Sequence, residues 1–199
     1  MSMARIFGAA AAAIFFVSVL SGCAKKQDDA APGGEAQIPQ RYAQDAQMME
    51  AALKSDPGNA GLLVQLGNLY YDWGEEEVSK KGELAQPLEK WTKAVHYYKQ
   101  ALDVEPGNVN VRVDMANLLR YTGDVDEALG HYRTAIKQDP KHPQARINLV
   151  LALGQLKKDY KGAVREYDAL MKAIPEQAAN TALKQEVDSF REMAKEARK

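Results

Sequence analysis

Apolar and small residues recur at helical spacing along residues 41–175, in two kinds of segment that alternate. In the first kind, a Leu or Met precedes a residue that is often small, and a large residue follows one turn later. The three copies are Leu66-Gly67 with Tyr70, Met115-Ala116 with Leu119, and Leu149-Val150 with Leu153. In the second kind, alanine precedes tyrosine by four residues, as in Ala94 and Tyr98, Ala128 and Tyr132, and Ala163 and Tyr167. Small residues let neighbouring helices approach closely, so the pattern predicts paired amphipathic helices.

The helix pairs repeat with a regular period. Each unit ends on a proline, and Pro106, Pro140 and Pro175 are separated by 34 and 35 residues. A unit of about 34 residues that is built from two short helices resembles the repeat of the tetratricopeptide repeat family. The resemblance implies an all-α solenoid of about three helix-turn-helix repeats with a capping helix at each end. Within the second unit, Gly123 is expected to end one helix in the left-handed conformation, and Asp124 to cap the next.

The repeat pattern also predicts boundaries. A half-repeat or capping helix is expected at residues 41–57, and a one-sided apolar stripe predicts a C-terminal capping helix at residues 176–199. The full units are predicted at residues 58–106, 107–140 and 141–175.

The first full unit is longer than the others. Pro57 and Pro106 lie 49 residues apart, which predicts an insertion at residues 75–89 between the two helices of that unit. Residues 75–84 are expected to leave the repeat as an excursion, either as a tolerated surface insertion or as an arm that contacts a partner.

The family resemblance implies a concave groove lined by the first helix of each unit. Spacings of three, four or seven residues place the expected lining on one helical face: Val64, Asn68, Tyr71 and Asp72, then Asn110, Val113, Asn117, Arg120 and Tyr121, then Gln144, Ile147 and Leu151. Aromatic and arginine side chains are good interface anchors, and asparagine can bind a peptide backbone. The alternative is that these residues are merely exposed. The family's carboxylate-gripping pattern is missing, because Val64, Asp114 and Gln144 occupy its places, so no grip on a terminal carboxylate is expected.

Residues 1–22 have the pattern of an export signal. A single Arg5 precedes an apolar stretch from Ile6 to Leu20 that would span about 22 Å as a helix, short of a ~30 Å hydrocarbon core. Leu20-Ser21-Gly22-Cys23 resembles the lipobox of bacterial lipoproteins, which implies cleavage before Cys23 and acylation of this cysteine. The alternative is an ordinary signal peptide with a chance cysteine. Residues 23–40 are predicted to be the acylated cysteine and a flexible tether.

Charge and chemistry exclude other classes of function. The net charge is −1, which argues against a nucleic-acid-binding protein. The sequence contains no phosphate loop, nucleophile elbow or zinc-protease motif, so an enzyme is not expected. His96, His131 and His142 are scattered and have no cysteine partners, which makes a weak case for metal or haem. No metal and no cofactor beyond the covalent lipid are expected.

The sequence therefore predicts a lipid-anchored scaffold that faces the periplasm and holds another protein or peptide segment, as in the assembly of a cell-envelope complex. Because Ala24 follows the cysteine, family sorting rules favour the outer over the inner membrane. The alternative is a protein that handles a small ligand or haem. The partner, the oligomeric state, and the choice between the insertion and the groove as the binding part stay open.

Overall fold

The structure is a computed structural model that describes residues 34–81 and 87–197. The predicted signal peptide, Cys23 and most of the predicted tether lie outside the described residues. The described part contains eight α-helices: α1 (Gly34–Ser55), α2 (Ala60–Lys81), α3 (Leu88–Val104), α4 (Val109–Thr122), α5 (Val125–Gln138), α6 (Pro143–Leu151), α7 (Tyr160–Ala173) and α8 (Thr181–Glu196). Each helix packs on the next along the chain. The all-α solenoid expected from the sequence is confirmed.

The helices that open each unit begin with the same device. A side chain at the helix start accepts a hydrogen bond from the backbone N–H three residues later: Asn59 from Leu62 (2.9 Å), Asn108 from Val111 (3.2 Å), and His142 from Ala145 (3.2 Å). The first turn of a helix has N–H groups without backbone acceptors, so each of these side chains stabilises the turn into a new unit.

The turn between α4 and α5 follows the expected glycine geometry. Gly123 has φ +98°, the left-handed conformation that ends α4 and that side chains with a Cβ rarely adopt. Asp124 makes no capping hydrogen bond to the start of α5, contrary to expectation. Its carboxylate instead accepts a hydrogen bond from Thr122 Oγ1 at 3.3 Å.

The core of each unit is formed by alanines and tyrosines of the second helix. Ala94, Ala128 and Ala163 have no exposed area, and Tyr98 and Tyr132 are at most 1% exposed. A methyl group on Gly67 would overlap with the Tyr98 ring, so α2 and α3 approach closely only because this residue has no side chain.

Two predicted boundaries differ from the structure. The expected excursion from the first unit is wrong over residues 75–81, because these residues simply continue α2. This segment contains good helix formers, and Glu76 pairs with Lys80 one turn later at 3.1 Å. The expected tether is also too long: residues 34–40 belong to α1, since helix-forming residues precede Pro39 there.

An aromatic stack attaches α1 to the first unit. The rings of Tyr42, Trp73, Tyr70 and Tyr97 follow one another at centroid distances of 5.7, 5.9 and 5.8 Å and are nearly parallel. Glu50 of α1 accepts hydrogen bonds from the hydroxyls of Tyr70 (2.9 Å) and Tyr97 (2.8 Å). These contacts join α1, α2 and α3 into one N-terminal cap.

The third unit departs from a regular repeat. α6 ends at Leu151 and continues as a π-helical segment, Ala152–Leu156, followed by Lys158 with φ +54°. Val150, at a position where a small residue was expected, is completely buried just before this widening. A methyl group on Gly154 would overlap with Phe190 of α8, so the C-terminal capping helix α8 packs against the π-helical turn at Gly154. Along α8, Leu183, Val187 and Phe190 are buried, as the apolar stripe predicted.

Candidate functional site: a groove along the first helices

The first helices of the units present a series of adjoining hollows, which we call the groove. The first hollow, about 280 Å³, is lined by Asn68, Tyr71, Asp72, Tyr98 and Asp114. The second, about 250 Å³, is lined by Asn110, Val113, Asp114, Asn117, His142 and Gln144. The third, about 290 Å³, is lined by Ile147, Leu151, Gln155, Asn180, Ala182, Leu183 and Glu186. Asp114 borders the first two hollows, and one face of α6 carries residues of the last two.

Buried tyrosines fix two asparagines in the groove. The Tyr98 hydroxyl donates to Asn68 Oδ1 at 2.7 Å, and the Tyr132 hydroxyl donates to Asn117 Oδ1 at 2.7 Å. Asn148 Nδ2 also donates to Asn117 Oδ1, at 2.7 Å. Because both Oδ1 atoms act as acceptors within the protein, the Nδ2 groups of Asn68 and Asn117 remain as donors for a molecule in the groove, such as a peptide backbone carbonyl.

The first hollow carries negative charge. Asp72 is exposed and Asp114 is half-buried, and neither forms a salt bridge with another of the described residues. Burial raises the pKa of both carboxyls above the ordinary value, and the nearby His142 opposes this shift at Asp114. Burial, followed by the charges of Glu75 and other neighbours, raises the pKa of Tyr71 to about 12. At neutral pH, the hollow therefore holds two carboxylates beside a neutral phenol.

Three of the predicted groove residues lie outside these hollows. Val64 is half-buried against the core. Tyr121 is 50% exposed and stacks on Trp91 at 5.2 Å. The guanidinium of Arg120 lies 4.7 Å from the centroid of the Tyr121 ring.

The other predicted residues line the hollows, although Val113 is only 3% exposed and forms the floor of the second. The prediction omitted Asp114, which borders two hollows. The signal was present, because Asp114 lies four residues after Asn110 and three before Asn117, on the same face of α4.

His142 and His131 have structural roles in the described part, whereas His96 is exposed on α3 beside Gln100. His142 caps α6, and its Nε2 lies 3.0 Å from Asn110 Oδ1. His131 lies between Arg112 and Glu127, and burial, with the charge of Arg112, lowers its pKa. Residues 34–81 and 87–197 contain no group of three metal-ligating side chains. The small-ligand or haem alternative stays a prediction that no observation favours.

Comparison with known proteins agrees with the repeat pattern. Residues 113–180 match the family model described as tetratricopeptide repeat. The chain is a tetratricopeptide-repeat solenoid. This solenoid is similar to the MamA protein, with a TM-score of 0.57 at 16% identity over 83% of this chain and 85% of that chain. A tetratricopeptide repeat protein from Parabacteroides merdae gives a TM-score of 0.59 at 20% identity over 78% of this chain and 56% of that chain.

Two further similarities concern proteins whose names state an activity or a ligand. The TPR2B domain of yeast Sti1, in complex with pHsp70, gives a TM-score of 0.50 at 19% identity over 65% of this chain and 98% of that chain. At such identities, the structural likeness of the repeats establishes the fold alone. Protein O-mannosyl-transferase TMTC1 of Mus musculus is 37% identical over 71 residues, which is 36% of this chain but 7% of that protein. The shared part of TMTC1 is thus a small fraction of it.

None of the helices in the described ranges is long and apolar enough to cross a membrane.

Proposed function

We propose that this protein is a scaffold that holds a segment of another polypeptide in the groove. The observation that carries the proposal is the pair of asparagines, Asn68 and Asn117, whose amides are oriented by buried tyrosines so that their N–H groups are available. They occupy the same position in neighbouring units, so a segment that runs along the groove can accept a hydrogen bond from each. Asn68 lines the first hollow and Asn117 lines the second, and these hollows can accept side chains of the bound segment.

The fold supports this proposal over catalysis. Tetratricopeptide repeats serve as surfaces for protein interaction, and the groove combines amides, aromatics and carboxylates without a nucleophile paired with a base. The Sti1 domain, named in complex with pHsp70, is one solved structure of this fold that binds another protein. We therefore propose no chemical reaction and no cofactor for this chain.

The proposed place of action is the bacterial cell envelope. The apolar stretch before Cys23 and the lipobox-like Leu20-Ser21-Gly22-Cys23 support a lipid anchor on Cys23. Ala24 supports attachment to the outer membrane, with the repeats facing the periplasm. The scaffold would then assist the assembly of an envelope complex. Labelling with an alkyne fatty acid tests the anchor: incorporation in the wild type that is absent from Cys23→Ser supports it, and equal labelling of both contradicts it.

Site-specific photocrosslinking in membranes tests the groove. A photoreactive amino acid is placed singly at Gln144 in the groove, at Ser79 in the extension of α2, and at Lys137 on α5, all of which are exposed positions. We expect a discrete protein adduct from position 144, and none from the control position 137. An adduct from position 79 alone would show that the insertion makes the contact and would overturn the proposal.

A further inference from the structure

The chemistry of the groove changes along its length. Between α2 and α4, the first hollow combines two carboxylates with two tyrosines and an asparagine. Between α6 and α8, the third hollow has an apolar wall of Ile147, Leu151 and the edge of Leu183. Its polar lining includes Asn180 and Glu186, and the Glu186 carboxylate accepts a hydrogen bond from Gln155 at 3.2 Å. A bound segment therefore meets an anionic part and an apolar part in a fixed order.

Among the described residues, no lysine or arginine forms a salt bridge with the anionic part, and only His142 acts on Asp114 as a nearby basic group. Elsewhere on the protein, many carboxylates pair with a basic side chain, as Glu127 does with Lys99 (2.8 Å) and Asp126 with Lys157 (2.8 Å). Asp72 and Asp114 form no such pair with the described residues, although both are partly desolvated. A cation that enters this hollow would gain two carboxylates and the neighbouring ring of Tyr71, which is only half-buried. An acidic segment would instead be repelled there.

The apolar part arises from one residue change between units. Leu151 occupies the position that Asn68 and Asn117 hold in the first two units, so the third unit has no amide at this place. The tyrosine of this unit, Tyr167, has the guanidinium of Arg191 5.6 Å from its ring centroid. With Ile147 one turn earlier on α6, Leu151 offers a half-buried aliphatic surface that a leucine or aromatic side chain would cover.

We propose that the segment held in the groove is basic at one position and apolar at another, with a lysine or arginine in the first hollow and the apolar side chain in the third. This inference rests on the proposed function and specifies its partner. The first and third hollows lie two units apart along the groove, so the occupant is an extended segment that reaches both, with its charge and its apolar anchor several residues apart.

A displayed library of random dodecapeptides, selected on the full-length chain in detergent, tests the inference. We expect Lys or Arg to be enriched at one position, with an apolar residue enriched at a second position, several residues away and constant among the selected peptides. The best peptide is then synthesised with a fluorescent label, and its affinity is measured by anisotropy. Replacing its basic residue by glutamate should abolish binding, and higher salt should weaken it.

Matched variants separate the charges from the fold. Asp72→Asn and Asp114→Asn keep the side-chain shape, and each should weaken binding at least about threefold, and together about tenfold. Asp103→Asn, on an exposed position of α3, is the control and should leave the affinity unchanged. Leu151→Asn should weaken the binding of peptides that carry the apolar residue. The affinity of peptides that lack this residue should not change.

The outcomes distinguish this inference from the proposed function. Selected peptides without a basic residue, or with an affinity indifferent to both Asp substitutions, would overturn the inference. The proposed function of the groove would still stand if Asn68→Leu or Asn117→Leu weakened the binding of those peptides. A selection in which no peptide depends on any groove residue would overturn both.

Discussion

The contact between Gly67 and Tyr98 can be tested by adding one methyl group. In Gly67→Ala, the new Cβ would overlap with Cδ1 and Cε1 of Tyr98 and lie 3.0 Å from Cζ. The ring cannot simply move aside, because Tyr98 is 1% exposed and its hydroxyl is bound to Asn68 at 2.7 Å. Overpacking of a core costs about 1–3 kcal/mol, whereas alanine is favoured over glycine within a helix by about 1 kcal/mol. With an overlap of this size, the overpacking term dominates, and we expect a net destabilisation of roughly 1–2 kcal/mol.

Gly130→Ala is the matched control for this experiment. A Cβ on Gly130 of α5 meets no atom within 4 Å, so only the helix preference applies and the variant should be more stable by up to about 1 kcal/mol. Urea denaturation followed by circular dichroism at 222 nm measures both changes as shifts of the midpoint. The same chemical substitution should thus move the midpoint in opposite directions. A stabilised Gly67→Ala would refute the conclusion that Tyr98 is fixed against α2.

Three further predictions concern the C-terminal cap and two titrating groups. Phe190→Ala should destabilise the protein by about 3–5 kcal/mol, because the ring is 3% exposed and fills the space beside Gly154. An unfolding temperature equal to that of the wild type would contradict this prediction. Asp114→Asn should raise the urea midpoint at pH 7. Burial raises the pKa of the Asp114 carboxyl in the folded state above the 3.8 of the unfolded chain, so the charged carboxylate destabilises the folded state. The gain in stability should shrink as the pH falls towards 4. Burial and Arg112 lower the pKa of His131 below 6.5, so the unfolded chain takes up the proton first and stability should fall as the pH drops below 6.5. His131→Gln should remove that part of the dependence below pH 6.5, and an unchanged slope there would show that another group causes it.

The repeat itself could be predicted from the sequence because each unit uses the same local devices. Asn59, Asn108 and His142 follow their prolines at equal distances, and each caps the next helix. The length of α2 could not be predicted in this way. The period placed a break near residue 75, but the local preference of residues 75–81 and the packing of Gly74 against Trp91 continue the helix.

The face of the groove could be predicted from helical spacing, but its chemistry depends on contacts between distant residues. Tyr98 and Asn68 are 30 residues apart, and Tyr132 and Asn117 are 15 apart, so the orientation of each amide becomes evident only in the folded chain. The same holds for burial. Val113 has the correct spacing for the groove, yet α4 is packed so closely there that only 3% of it is exposed.

The contacts of α2, as far as residue 81, bear on the choice between the groove and the insertion as the proposed binding part. Lys90 of α3 pairs with Glu77 at 3.3 Å and lies 5.4 Å from the centroid of the Trp73 ring. Gly74 lies against the indole of Trp91, and Trp73 belongs to the stack that attaches α1. Trp73, Gly74 and Glu77 are thus engaged in contacts that stabilise the N-terminal cap, whereas Glu75, Ser79 and Lys80 are exposed. In the groove, by contrast, Tyr98 and Tyr132 orient the amides of Asn68 and Asn117 through their oxygens and leave the N–H groups for a partner. Binding groups that are fixed in place lose little entropy when a partner arrives, which supports the proposal that the groove binds the partner.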